Sequence, residues 1–486
     1  MIRLLFLWLG IVFPLLVFPQ ETPGKTFGGD FNDVGYTVGL MSDGGYLLAG
    51  KTRISKTVGE DMLLIRLNQN GDKLWQETIG WNRQDMIRSL VPVQDGFVMV
   101  GDVWEFGLGQ LDICLVKTDL YGNKLWHKLY GTNARDMGFN LLSTNDGGYL
   151  ILGHSRGYEN AGDLLLIKTN HDGEEIWRKS FGSEHDDYGI EMIQNEDGSI
   201  VIVGSKGAFY NDVHANFRNH DADVYLFKID QSGSEVWRKT IGGSEHDFGY
   251  SIAKANDGGY FVFGSTQSYG NGNFDMMLAK TDDWGDLLWH KTFGGVEYDM
   301  GISMAKNANN ELYLLGSTKS FGIAGSSDTY LIKTDDLGNE IWTLTIGGED
   351  FDKAHKVIAT PDSGCVVVTE TQSFGSGMSD ILFTKVNSNG FIEYFISNID
   401  SPYVGKTFVY PMPLKSKGRV KIENSDTNKV YTMEIISLSG IHSKSFVLYP
   451  PVYGFDIGSL TPGLYLYRIT SEDNSSVFIK GKLVVQ

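Results

Sequence analysis

The chain has 486 residues, enough for two to four domains at roughly 100–200 residues each, or for one long repetitive array with an appendage. Glycine supplies 60 of them, about 12% against a usual ~7%, beside two cysteines and 41% apolar residues, which excludes a disulfide-built scaffold and a mostly disordered chain. Sixty acidic against 41 basic residues leave a net charge of -19, which excludes a general affinity for nucleic acid or an anionic membrane.

Residues 1–20, MIRLLFLWLGIVFPLLVFPQ, place one early arginine before an apolar run and a polar stretch, the layout of a cleaved export signal. Phe18-Pro19-Gln20 lacks the small-residue cleavage pattern, so an uncleaved N-terminal anchor is the alternative. No cysteine follows the run, which argues against a lipid anchor. No later segment approaches 18 uninterrupted apolar residues, so the remainder is not expected to be an integral membrane protein. Cys114 and Cys365 lie far apart in strand-like runs and are read as buried thiols.

From residue 25 to residue 398 one unit recurs seven times. It is marked by a turn glycine followed four residues later by an aromatic ring: Gly71 and Trp75, Gly122 and Trp126, Gly173 and Trp177, Gly233 and Trp237, Gly285 and Trp289, Gly338 and Trp342, Gly390 and Tyr394. The rings are 51, 51, 60, 52, 53 and 52 residues apart. In the fifth unit GYSIAKA (Gly249–Ala255) leads through Asn256-Asp257-Gly258-Gly259 into YFVFGST (Tyr260–Thr266), then DMMLAKTDDWG (Asp275–Gly285) and LLWHKTFGG (Leu287–Gly295). Runs of four to eight residues bounded by Gly, Asp and Asn are strands, so each unit is four short antiparallel strands. Seven such units without a crossover helix predict an all-β fold, a seven-bladed β-propeller of four-stranded blades, with an open solenoid as the rival arrangement. Ring closure has its own trace. Lys25-Thr26-Phe27-Gly28-Gly29 matches the tail of a fourth strand, and the missing first half, Phe391 to Ile396, stands at the other end of the array.

The six tryptophans and Tyr394 are expected to fill the wedge between neighbouring sheets. An aspartate follows the glycine that ends each unit, a glycine pair in four of the seven, at Asp33, Asp85, Asp136, Asp187, Asp247, Asp299 and Asp352, and is expected to accept backbone N–H groups in the blade-to-blade connection. Seven carboxylates converging on a narrow axial channel would instead repel one another and call for a cation, so calcium is the one metal retained; no other cofactor is expected. A further aspartate opens each third strand, at Asp61, Asp112, Asp163, Asp223, Asp275, Asp328 and Asp380. A basic residue closes the same strand, and an Asn/Asp-x-x-Gly turn follows.

Features that do not repeat point to function, because a scaffold needs every blade and a site needs one. The fourth unit carries KGAFYNDVHANFRNHDAD (Lys206–Asp223), about eight residues longer than its equivalents, with Phe209, Tyr210, His214, Phe217, Arg218 and His220. Trp104, Phe106 and Tyr158 fall in the corresponding loops of other units and would lie on the same face, where aromatic and basic residues suit a sugar or a peptide. A drifted surface loop is the alternative. The string Ser-Glu-His-Asp occurs twice, so His185, Asp187, His246 and Asp247 form a candidate divalent-metal set, although His185-Asp186 and His246-Asp247 differ by one residue against the repeat. No Gly-x-Ser-x-Gly elbow, His-Glu-x-x-His helix or phosphate loop is present, and no catalytic residue is assigned.

After residue 398 the repeat stops. Residues 399–408 read as a linker and residues 409–486 as a small β-sandwich built from RVKIEN (Arg419–Asn424), KVYTMEIISLSG (Lys429–Gly440), PGLYLYRIT (Pro462–Thr470) and SVFIKGKLVVQ (Ser476–Gln486). Tyr410-Pro411-Met412-Pro413, the run from Ile435 to Ser439-Gly440, Leu460-Thr461-Pro462-Gly463-Leu464-Tyr465, and Lys480-Gly481-Lys482-Leu483-Val484-Val485 resemble the type A C-terminal sorting domain of Bacteroidota type IX secretion. Met412 departs from the Tyr-Pro-Asn-Pro string usual in that family. The resemblance implies passage through the periplasm, engagement of the type IX machinery, and release or attachment at the outer cell surface. The Gly-x-x-x-Trp spacing is also similar to the tryptophan-docking repeat of quinoprotein-type propellers, but no cofactor constellation accompanies it here. The sequence thus reads as a secreted or surface, non-catalytic propeller that binds a protein or glycan. A secreted hydrolase or lyase at the axial mouth and a structural surface-layer component are the alternatives.

Overall fold

The computed structural model describes residues 22–53, 59–81, 83–104, 111–157, 162–207, 222–323 and 325–393, and beyond them 407–410, 417–422, 431–437, 443–448, 453–456, 460, 463–471 and 474–485. Two compact units divide the chain, the first ending at Ser397 and the second beginning at Asn398. Among the described residues no helix is long and apolar enough to cross a membrane.

The first unit is a seven-bladed β-propeller. Blade 1 pairs Asp33–Leu40, Tyr46–Arg53, Glu60–Leu67 and Lys73–Ile79 in sequence order, all antiparallel. Blades 2 to 6 repeat that order over residues 85–130, 136–181, 187–241, 247–293 and 299–346. Blade 7 takes only three strands from the end of the array, Asp352–Ala359, Cys365–Thr371 and Asp380–Val386. Its fourth is the N-terminal strand Lys25–Phe27, with Lys25, Thr26 and Phe27 opposite Phe383, Leu382 and Ile381. The C-terminal end of the array supplies the start of the same strand, through an Ile392–Val386 bridge and a Glu393 N–H bond of 2.7 Å to the Lys385 carbonyl. The split fourth strand covers the third strand of blade 7, which then presents the same short outer edge as the other blades.

Each turn glycine preceding the outer strand has two reasons to be glycine. Gly122 has φ +85°, and a Cβ there would lie 2.9 Å from Trp75 Cζ3 of the preceding blade. Gly173, Gly233, Gly285, Gly338 and Gly390 stand in the same way over Trp126, Trp177, Trp237, Trp289 and Trp342. Each ring is thus clamped between its own sheet and the turn of the next, and joins an inter-blade core such as Leu47, Leu64, Ile87, Met99 and Cys114 around Trp75. Burying each large side chain of this kind contributes about 1.5–3 kcal/mol. Tyr394 lies outside the described residues. Cys114 and Cys365 are both buried and unbridged.

A β-bulge in every first strand was not legible in the sequence. The register shifts between Gly35 and Thr37, Ile87 and Ser89, Gly138 and Asn140, and at the matching place in each later blade. The extra residues are Tyr36, Arg88, Phe139, Ile190, Tyr250, Ile302 and His355. The next side chain accepts a backbone N–H from the following blade: Leu141 to Ser89 Oγ at 3.3 Å, Ile252 to Glu191 Oε2 at 3.0 Å, Met304 to Ser251 Oγ at 3.1 Å and Val357 to Ser303 Oγ at 3.3 Å. These bonds tie the innermost strands of blades 2 and 3 and of blades 4 to 7 to one another, independently of the apolar wedges.

The second unit is the small β-sandwich. Thr407–Tyr410, Lys417–Ile422 and Tyr453–Asp456 form one sheet, and Ser443–Leu448, Tyr431–Ser437, Gly463–Ser471 and Asn474–Val485 form the other. Tyr431, Met433, Ile435, Leu448, Tyr465, Tyr467 and Ile469 are buried, at alternate positions within each strand, so one face of the larger sheet carries the core. Tyr410 ends its strand opposite Arg419, Gly463 faces Val485, and Lys482 faces Leu466. Pro411, Pro413 and Gly440 lie outside the described residues.

Candidate functional site

Two ends of the blades differ in kind. The lower end carries the tight hairpins between first and second and between third and fourth strands. The upper end carries the second-to-third-strand loops and the blade-to-blade connections. Of the residues singled out in the sequence, Trp104 is at the upper end and exposed, with the Arg83 guanidinium 5.5 Å from its ring centre. Phe106, Tyr158, Phe209, Tyr210, His214, Phe217, Arg218 and His220 all lie outside the described residues.

The upper connections of blades 5, 6 and 7 share one construction that the sequence reading missed. Ser268, Ser320 and Ser373 each accept, at 3.0 Å, the N–H of a residue in the neighbouring connection, Glu245, Glu297 and Asp350. Ser268 donates onward to Asp247 at 2.6 Å and Ser373 to Asp352 at 2.7 Å. The recurrent triplets Ser268-Tyr269-Gly270, Ser320-Phe321-Gly322 and Ser373-Phe374-Gly375 were a visible signal for it. On this braced surface Val296 is 76% and Met378 68% exposed, and Tyr298, Phe321 and Phe351 are exposed as well. Lys319 places its ammonium 5.7 Å from the Tyr298 ring centre. Five large apolar side chains held by loops fixed to the sheet edges make a pre-ordered contact surface.

Leu111, Met137, Phe139, Tyr188, Ala222, Phe248 and Phe274 form one buried cluster drawn from several blades. Glu191 of blade 4 meets Lys356 of blade 7 at 2.6 Å across the ring, and Arg88 forks onto Asp102 at 2.8 and 2.9 Å. His355, whose pKa burial depresses, stands 3.3 Å from Glu370 and edge-on to Tyr36. His154 stacks on Tyr188 at 4.0 Å between centroids, and burial holds its pKa at about 4, so it is neutral at pH 7.

The repeated aspartates are held in the connections and not gathered at the axis. Asp33, Asp85, Asp136, Asp247, Asp299 and Asp352 each accept the N–H four residues upstream at 2.6–2.9 Å, and Asp187 accepts Gly207 N–H at 3.1 Å. The one-residue offset between the two Ser-Glu-His-Asp strings has a structural meaning. His246 Nδ1 accepts Ala222 N–H at 3.1 Å, and the group doing that work in blade 4 is Asp186, which accepts Gly162 N–H at 2.6 Å and Arg156 at 2.8 Å. His185 stands one residue earlier, where its backbone N–H donates to Ser183 Oγ at 3.4 Å. His185, Asp187, His246 and Asp247 form no metal set, and among the described residues no group of three or more His, Cys, Asp or Glu does.

At the junctions, first-strand and third-strand aspartates face one another across a glycine. A Cβ on Gly347 would strike Asp328 and lie 2.8 Å from Asp352 Oδ2. Burial, and then the Asp352 carboxyl, push Asp328 up to about 6 from the ordinary 3.8. Between those values the folded chain binds more protons than the unfolded one, so stability falls as pH rises from about 4 to about 6. Asp328→Asn is expected to flatten that slope and, above pH 7, to equal or exceed the parent by roughly 1–3 kcal/mol. Urea titrations of both proteins at pH 4.5 and 7.5 check this, and equal slopes would refute a shared proton.

No family model matches this chain. The Regulatory protein FlaEY of Caulobacter vibrioides is 24% identical over 206 residues, covering 39% of this chain and 20% of that protein. The chain thus spans about a fifth of the length of this curated relative. Among solved structures, the extracellular domain of a putative hybrid two-component system from B. thetaiotaomicron aligns over 93% of this chain and 67% of that one, with TM-score 0.30 and 11% identity. Sqt1 from Chaetomium thermophilum aligns over 72% and 84%, with TM-score 0.42 and 11% identity. A puromycin hydrolase aligns over 90% and 58%, with TM-score 0.48 and 11% identity. At these values no activity transfers to this chain.

Proposed function

We propose that the chain is a secreted or cell-surface, non-catalytic binding propeller that holds an extracellular protein or glycan against the upper ends of its blades. The exposed arc of Val296, Tyr298, Phe321, Phe351 and Met378 on braced connections carries this reading. Large apolar side chains in water on ordered loops are what a partner can cover at little conformational cost. In this reading the C-terminal unit is a type IX sorting domain, supported by the Tyr410-Pro411 and Pro462-Gly463-Leu464-Tyr465 strings and by Lys480–Val485. The type IX machinery is then its partner in transit, by way of the periplasm.

The test uses cells and spent medium of a host with type IX secretion. The immobilised full chain is expected to retain a partner or a glycan-array ligand. Tyr298→Ser, Phe321→Ser and Met378→Ser together are expected to weaken retention at least about tenfold, or ~1.4 kcal/mol. The melting curve of the variant is recorded beside the parent's, because Tyr298 and Phe321 also pack on the buried rings of Phe274 and Tyr330. Retention equal to that of the parent removes the upper face from the reading.

A further inference from the structure

The lower end holds a second feature, independent of the upper face. Between the hairpins of blades 4 and 5 lies a cavity of about 720 Å³, lined by Asp197, Ser199, Lys228, Val236, Asp283 and Trp284 among others. Its volume falls within the ~300–1,000 Å³ of small-molecule sites.

One departure from the repeat opens it. In six blades the basic residue that closes the third strand is paired with an acid of the first hairpin. The pairs are Arg66–Asp43 at 2.5 Å, Lys117–Asp95 at 2.8 Å, Lys168–Asp146 at 2.9 Å, Lys280–Asp257 at 3.0 Å, Lys333–Glu311 at 2.8 Å and Lys385–Asp362 at 3.0 Å. The blade 4 counterparts are Lys228 and Asp197. There Asp197 Oδ1 accepts the Ser199 hydroxyl at 2.5 Å and the Ser199 N–H at 2.9 Å. Lys228 has no ion pair or hydrogen bond among the described residues.

Ser199 is the residue that departs from the repeat at this hairpin. Blades 1 and 3 have Gly45 and Gly148 at its position, where a Cβ would strike Arg66 Nη1 or lie 2.7 Å from Lys168 Nζ. The Ser199 hydroxyl takes the carboxylate in the cation's place. In blade 6, Glu311 fills the same position but offers Lys333 its own carboxylate. Among the described residues only blade 4 leaves this ammonium without a direct ion pair to its first hairpin.

The rest of the lining is mixed in character. Trp284 is 66% exposed and Val236 is exposed beside it. Trp237 is buried and its indole N–H has no acceptor, whereas the matching Trp342 N–H donates to the Ser388 carbonyl at 3.1 Å. Asp283 accepts Gly259 N–H through Oδ1, and the Gln231 amide donates to the Asp197 carbonyl, which leaves an acceptor oxygen on each.

We propose that this cavity binds a neutral saccharide, with a sugar ring on Trp284, hydroxyls accepting from Lys228, and hydroxyls donating to Asp283 and Gln231. Three carboxylates, Asp197, Asp230 and Asp283, surround one ammonium, which opposes a carboxylate or phosphate ligand. A cationic ligand would stand beside Lys228. A hydroxyl both donates and accepts, and an apolar sugar face suits an exposed indole.

The test titrates maltose, cellobiose, lactose and chitobiose to about 20 mM on the purified full chain by calorimetry, with digalacturonate as the anionic control. At least one neutral disaccharide is expected to bind with a millimolar or tighter Kd. Trp284→Ala is expected to weaken it about tenfold or more, and Lys228→Met about fivefold. Ser199→Gly, which adds no bulk and lets Asp197 reach Lys228, is expected to weaken binding about fivefold while keeping the urea midpoint. That variant decides the matter if Lys228→Met fails to fold. No heat with any neutral sugar, a preference for digalacturonate, or full binding by Trp284→Ala and Ser199→Gly would each overturn the proposal. Loss of the upper-face partner in the preceding test leaves this site untouched, and the reverse also holds.

Discussion

Deletion of Lys25–Phe27 is expected to abolish cooperative folding of the propeller. The strand contributes three residues of ladder opposite Ile381, Leu382 and Phe383, and Phe27 packs against the core between blades 7 and 1. Lys25 also reaches into blade 1, where its ammonium pairs with Asp72 and bonds the Asn70 carbonyl at 3.0 Å. Partial burial of an aromatic side chain is worth about 1–2 kcal/mol and each net hydrogen bond about 1 kcal/mol, so the loss is roughly 4 kcal/mol. That is a large part of the ~5–15 kcal/mol of a typical domain. The truncated protein would also expose the third strand of blade 7 as an edge, and aggregation should follow. Urea unfolding and size-exclusion chromatography check both effects. A parental midpoint and a monomer peak would mean that the ring does not depend on this strand.

If the C-terminal unit is the sorting domain proposed above, deletion of Thr407–Gln486 is expected to act on delivery and not on folding. The propeller has its own inter-blade cores and closes with its own N-terminal strand, so the shortened chain should keep the parental melting curve. In a host with type IX secretion it should accumulate in the periplasm, with none at the cell surface or in the medium. Fractionation and protease shaving measure this. Surface delivery of the shortened protein would remove the sorting assignment, while a lost melting transition would show that the two units fold together.

Several parts of the molecule were legible because each is a local rule repeated seven times. A turn that needs positive φ demands glycine wherever it occurs, so Gly122 or Gly338 announces its turn without any knowledge of neighbours. The alternation of short strands and the spacing of the tryptophans then give the blade, and seven blades with a split last strand give the ring. Ser199 was visible as one departure from a glycine position, yet its consequence depends on how near a Cβ comes to a cation in space.

The axis belongs to the other category. Glu191 and Lys356 are 165 residues apart and meet only because blades 4 and 7 face each other across the closed ring. Breaking such a pair by removing one partner costs about 3–5 kcal/mol when it is buried, but nothing in the local pattern of either strand marks it. The bulge that offsets Tyr36, Arg88 and His355 is equally silent, since apolar and polar residues are interchangeable there so far as strand pairing is concerned. The sequence alone determined the unit, its count and its closure, because backbone conformation and strand period act over a few residues. The arrangement of charge at the axis, the braced upper arc and the open lower cavity were decided by distances between blades, which exist only once the ring has formed.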